Sequence, residues 1–115
     1  MELCGGGDLL SYIKRRKKLT EETSCHLFKQ VCEAVKYCHH KQVAHLDIKP
    51  DNLLLCEEGE IKLCDFGVSR NLTADMIKDQ IGTPAYMAPE IHQRLPFVGW
   101  AADVWALGCL LFIML

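Results

Sequence analysis

Pro50 most constrains the course of this chain, because it interrupts the stretch where polar chemistry is densest. In His45-Leu46-Asp47-Ile48-Lys49-Pro50-Asp51-Asn52 proline's missing N–H and fixed φ forbid a regular helix, and Lys49 is steered toward extended backbone. A short apolar run, Val43-Ala44, leads into it. The segment is therefore a shaped loop carrying a carboxylate base, a cation and an amide compatible with a hard metal ion.

Helix signals precede this loop and strand signals follow it. Asp8 reads as an N-cap for a short helix over Leu9 to Arg15, and Thr20 as the N-cap of a longer one, with Glu21 and Glu22 suited to its positive end. Phe28, Val31, Cys32, Val35 and Cys38 then recur at helical spacing, opposite Lys29, Gln30, Glu33 and Lys36. Adjacent helical residues point apart, so His39-His40 reads as a dipole-compatible helix end rather than a metal pair. After the loop, Leu53-Leu54-Leu55-Cys56 and Ile61-Lys62-Leu63-Cys64 read as two strands joined by Glu57-Glu58-Gly59. Asn52 and Asp65 bracket this hairpin. Ala101 to Leu115 is strongly apolar, but it is too short for a membrane span and contains Asp103, so a buried helix is expected.

Composition narrows the classes further. The 115 residues are half hydrophobic, enough for one small core. A net charge of −2 gives no global electrostatic case for nucleic acid or membrane binding. The five-cation run Lys14-Arg15-Arg16-Lys17-Lys18 reads as a solvated helix end. Seven cysteines form no C-x-x-C pair, which argues against a zinc, redox or disulfide framework. Reduced, mostly buried thiols are expected, with Cys25, Cys32 and Cys38 as small core residues of the long helix. Gly5-Gly6-Gly7 is no phosphate loop: no strand precedes it, and Leu10 stands where a third glycine would be required.

Three motifs follow in order: His-x-Asp-x-x-x-x-Asn at His45 to Asn52, Asp65-Phe66-Gly67, and Ala88-Pro89-Glu90. Together they resemble the catalytic loop, metal-binding motif and activation-segment end of protein kinases of the serine/threonine type. The hinge and the runs Cys64–Gly67 and Asp103–Gly108 look most like the calcium/calmodulin-dependent and AMP-activated groups. The resemblance implies an α+β fold: a kinase-like large lobe, mostly α-helical, with a small β-hairpin at the catalytic loop. That lobe is expected to be incomplete. Residues 1–115 would run from the hinge to the start of the central helix, with the small lobe before Met1 and the last helices after Leu115. A product of these residues alone is expected to be inactive, with the apolar sides of its last helix unpartnered.

The resemblance also implies roles. Asp47 would accept the proton of a protein Ser/Thr hydroxyl, Lys49 would neutralise the transferred phosphate, and Thr83 would pack beside Asp47. Asn52 and Asp65 would hold Mg2+. The backbone at Glu2 and Cys4 would meet the adenine of ATP, Asp8 would lie near the ribose, and Leu54 would form the floor beneath the base. Cys64 would line the back of that pocket, and Asp103 would hold the catalytic-loop backbone. The implied partner is a protein substrate, with no nucleic acid or membrane, and the expected location is the cytoplasm, with the nucleus as the alternative. The rival reading is an inactive, pseudokinase-like binding or scaffold product. Residues 65 to 90 would form a mobile activation segment, with Ser69 and Thr73 as phosphoacceptor candidates. Two departures from the family pattern bear on regulation: Leu46 replaces the usual arginine, and Asp79 occupies the usual phosphothreonine position.

Overall fold

The computed structural model describes residues 7–56, 59–72 and 76–115. Helix α1 spans Leu9–Arg16 and is capped by Asp8, which accepts the Ser11 N–H at 2.7 Å. Helix α2 spans Glu21–His40, capped by Thr20 through the Thr23 N–H. Strand β1 (Val43–Ala44) leads into the catalytic-loop stretch, which ends in a 3-10 turn over Pro50–Asn52. Strands β2 (Leu53–Leu55) and β3 (Ile61–Leu63) form the expected antiparallel hairpin, with Leu53 opposite Leu63. The turn residues Glu57 and Glu58 lie outside the described residues. Strand β4 (Arg70–Asn71) pairs antiparallel with β1, a contact no local pattern announced. A second 3-10 turn (Pro84–Tyr86), the short helix α3 (Pro89–His92) and helix α4 (Gly99–Met114) complete the order. Among the described residues, no helix is long and apolar enough to cross a membrane.

Two apolar clusters hold these elements. One gathers Leu27, Val31 and Val35 of α2 with Leu53, Leu55 and Ile61 of the hairpin and Ala106, Leu110 and Met114 of α4. The α2–hairpin contact is fixed by Gln30, whose amide donates to the Gly59 carbonyl and accepts the Ile61 N–H, at 2.8 and 2.9 Å. Buried Ser24 donates to the Met114 carbonyl, tying α2 to the end of α4. The second cluster packs Ala44 and Leu46 against Ile81, Met87, Ile91, Phe97 and Ala102. Residues 76–92 are thus more tethered than a mobile loop: Ile77 and Phe97 exchange backbone hydrogen bonds of 2.9 Å, and Ile81 and Met87 are buried.

Helix α4 buries Ala102, Asp103, Ala106, Leu110 and Met114 along one face. The other sides expose Trp100, Val104, Trp105, Phe112 and Ile113, as the strongly apolar sequence led one to expect. The cysteines correct the sequence reading. Cys25 is exposed, and Cys32, Cys38, Cys64 and Cys109 are half-buried rather than core residues. The inward face of α2 instead takes Ser24, Leu27, Val31 and Val35. Cys56 is disulfide-bonded, against the expectation of reduced thiols. Nearby, residues 7 and 8 run antiparallel to β2, with the Leu55 N–H donating to the Gly7 carbonyl at 2.8 Å. Sequence spacing does not reveal that juxtaposition.

Candidate active site

The catalytic-loop backbone is held from below by one carboxylate. Asp103 is fully buried in α4, and it accepts the His45 N–H at 2.9 Å, the Leu46 N–H at 2.8 Å and the His39 ring N–H at 2.7 Å. Those bonds stabilise Leu46 at φ 68°, a left-handed conformation that a branched residue rarely adopts. His45 is equally buried, and its ring spans the loop. Its Nδ1 accepts the Asp47 N–H at 3.1 Å, so its Nε2 carries the proton and donates to the Cys64 carbonyl at 2.8 Å. The Phe66 ring stands edge-on to the His45 ring at 4.7 Å. One imidazole therefore links the loop to the Asp65-Phe66-Gly67 turn.

Above this support the polar side chains converge. Thr83 Oγ1 donates to Asp47 Oδ1 at 2.7 Å and accepts from Lys49 Nζ at 2.8 Å. Lys49 Nζ stands 4.0 Å from the second Asp47 oxygen, Oδ2. Asn52 Nδ2 donates to the Asp47 carbonyl at 2.8 Å and more weakly to Oδ2 at 3.3 Å. Thr83 reaches this site because Gly82 passes under the loop at φ 106°, where a Cβ would lie only 2.7 Å from the Leu46 carbonyl oxygen. Only glycine combines that dihedral with that approach.

The hairpin brings Asp65 to the same end. The Cys64 N–H donates to the Asn52 carbonyl at 2.9 Å, which sets Asp65 one residue beyond Asn52's partner. Asp65 sits at φ 58° and is exposed. Among the described residues its Oδ1 receives only a long contact of 3.4 Å from the Gly67 N–H. Asn52 uses its Nδ2 on Asp47, and among the described residues its Oδ1 has no hydrogen-bond partner. The site thus offers a carboxylate and an amide oxygen, a hard donor set that fits Mg2+ when phosphate oxygens and water complete the coordination. Among the described residues no group of three or more His, Cys, Asp and Glu could hold a metal alone.

Of the expected site residues, Asp47, Lys49, Thr83 and Asn52 are in direct contact, and Asp65 joins through the hairpin. Asp8 and Leu54 meet each other in an antiparallel bridge, and one carboxylate oxygen of Asp8 is occupied by its helix cap. Glu2, Cys4 and Thr73 lie outside the described residues. Burial, with a contribution from Asp65, pushes the Cys64 thiol above its ordinary pKa, and its Sγ lies 3.3 Å from the Asn52 carbonyl. Two residues escaped the sequence reading. His39 is a ligand of Asp103 rather than only a helix end. Arg70 pairs with Asp79 at 3.4 Å on the surface. The first partnership joins residues 64 positions apart and the second residues nine positions apart, so neither follows a helix or strand spacing that could have marked it.

A loop-borne aspartate bridged through a threonine to a lysine, beside a two-oxygen metal position, is an arrangement of positioning and charge of the kind that phosphoryl transfer requires. The description "protein kinase domain" fits residues 1–115, and the chain belongs to that family. It is 43% identical to CBL-interacting serine/threonine-protein kinase 7 of Arabidopsis thaliana, covering 100% of this chain and 28% of the relative. It is 42% identical to NUAK family SNF1-like kinase 2 of Homo sapiens, covering 99% and 18%. It is 40% identical to the carbon catabolite-derepressing protein kinase of Candida glabrata, covering 96% and 18%. The chain therefore spans less than a third of the length of each of these relatives. They fall where the resemblance to the AMP-activated group pointed.

Proposed function

We propose that these residues form the central part of a serine/threonine protein kinase that transfers the γ-phosphoryl of Mg-ATP to protein hydroxyls, acting in the cytoplasm. The observation that carries the reading is the Asp47–Thr83–Lys49 bridge, which joins a base to a cation through one hydroxyl. Bound Mg-ATP would supply the phosphoryl group and neutralise its charge. Asp47 would orient the incoming hydroxyl. Its Oδ1 is engaged by Thr83, so Oδ2 is the oxygen suited to take the substrate proton. Lys49, on the same threonine, would offset charge on the moving group, and Asn52 Oδ1 with the Asp65 carboxylate would ligate the metal. Leu54, Asp8 and the backbone of Glu2 and Cys4 would line the nucleotide side. Positioning and charge, rather than covalent participation, carry such chemistry.

The test is a graft of residues 1–115 in place of the matching segment of the Arabidopsis relative. The graft should transfer phosphate to a serine peptide. Asp47→Asn should abolish turnover, by about a thousandfold or more, while Mg-dependent nucleotide affinity stays near the parent value. Asp65→Asn should weaken that affinity as well as turnover. A folded graft without activity, or the same nucleotide affinity in both variants, refutes the assigned roles.

A further inference from the structure

The five-cation run is the strongest charged feature the active site does not use. Five of the thirteen Lys and Arg residues fall at positions 14–18, so the remaining 110 residues carry eight cations against fifteen carboxylates, a formal −7. All five are exposed. Among the described residues no carboxylate pairs with Lys14, Arg16, Lys17 or Lys18, and that includes Glu21 and Glu22, the acids next in sequence. The guanidinium groups of Arg15 and Arg16 rest against the Tyr12 ring, 6.0 and 5.3 Å from its centre, which limits their freedom before any partner arrives. The chain then folds back sharply. Lys17 stands at φ 61° and the Lys18 N–H reaches the Arg16 carbonyl at 2.6 Å, so Lys17 and Lys18 project beyond the helix while Leu19 returns to the core. A helix end needs no lysine in that left-handed position, where a residue with a side chain is strained.

The placement is informative. Helix α1 packs against the Pro50–Asn52 turn and β2, at the end of the catalytic loop. Its eight residues are about 12 Å long, and the cations stand at the end opposite Asp8, which bridges Leu54.

We propose that Lys14–Lys18 is a docking site for an acidic stretch of the protein substrate, outside the segment that carries the hydroxyl reaching Asp47. This rests on the kinase reading and names a substrate class within it. A short run of Asp and Glu fits better than a long polyanion, because a duplex or an anionic bilayer extending past the patch would meet the −7 remainder. Planar guanidiniums held by Tyr12 suit carboxylates, which they bind two-pronged.

The test is fluorescence anisotropy of a labelled hexaglutamate peptide titrated with the 115-residue chain, beside the matching glutamine peptide, single-stranded DNA and phosphatidylserine vesicles. The glutamate peptide should bind at least about tenfold tighter than the glutamine peptide, weakening as salt rises. Neutralising all five cations to glutamine should remove binding. Lys17→Gln with Lys18→Gln, which leaves α1 and the Tyr12 contact intact, should weaken it about threefold to tenfold. Equal binding of the two peptides, no binding, or tighter binding of DNA or vesicles overturns the proposal. No nucleotide or turnover enters this measurement, so an inactive graft that accompanies normal peptide binding would refute the kinase roles alone. An active graft whose isolated segment ignores the peptide would refute the docking site alone.

Discussion

Replacing Asp103 by asparagine tests whether one buried carboxylate fixes the catalytic loop. Asp103 accepts three donors: the His45 and His39 protons at Oδ2 and the Leu46 N–H at Oδ1. An asparagine has one acceptor oxygen. Turned toward Leu46, it confronts the His45 N–H with its own NH2. Turned the other way, it leaves the Leu46 N–H facing NH2. Either way at least one buried backbone donor loses its partner, at about 1–3 kcal/mol. Asp103→Ala would strand both amides and open space, costing about 3–5 kcal/mol, comparable with the whole stability of a small domain. Asparagine is therefore the better probe. Taking about 2 kcal/mol as the local cost, the His45 and Leu46 amides should exchange about thirtyfold faster. Hydrogen exchange read by NMR resolves this, with the Ile61 amide as control, since Gln30 holds it far along the chain. A change below about twofold at both loop amides refutes the assigned role. A parallel rise at Ile61 would mean that Asp103 holds the whole fold rather than the loop.

Gly82→Ala forces a Cβ to 2.7 Å from the Leu46 carbonyl at φ 106°, so it should cost about 2–4 kcal/mol, or displace Thr83; loss of the Thr83 contact in the NMR spectrum, or a fall in Tm, checks it. Cys64 should alkylate slowly at neutral pH and faster as pH rises past a free cysteine's range, because its raised pKa leaves little thiolate below that range; Asp65→Asn, which removes one cause of the shift, should speed labelling, and a rate matching glutathione at neutral pH would contradict the assignment. In the grafted enzyme, phosphatase treatment should leave turnover nearly unchanged. Leu46 is packed in the second apolar cluster and Asp79 already meets Arg70, a surface pair worth about 0–1 kcal/mol; a collapse of turnover reversed by phosphate on Ser69 or Thr73 would refute this.

Much of the site was legible from residues alone. Pro50 dictated a loop, the period-two runs dictated the hairpin, and the cap residues Asp8 and Thr20 started their helices where expected, because these are local effects of dihedral preference and nearby donors. Motif order placed Asp47, Asn52, Asp65 and Thr83 in one site before any coordinate did. What the sequence could not say is which face each helix buries when apolar residues surround it. In α4 almost every position is apolar, so only packing chose Ala102, Ala106, Leu110 and Met114 for the interior, whereas Asp103 beneath the loop was implied by the family resemblance and not by any pattern within the helix. The same holds for Cys25, which matched a core pattern but lies at the surface, and for Cys56, which is disulfide-bonded where reduced thiols were expected. Those outcomes depend on partners dozens of residues away. Local pattern fixes a residue's backbone state, while its neighbours are settled only when the whole chain closes.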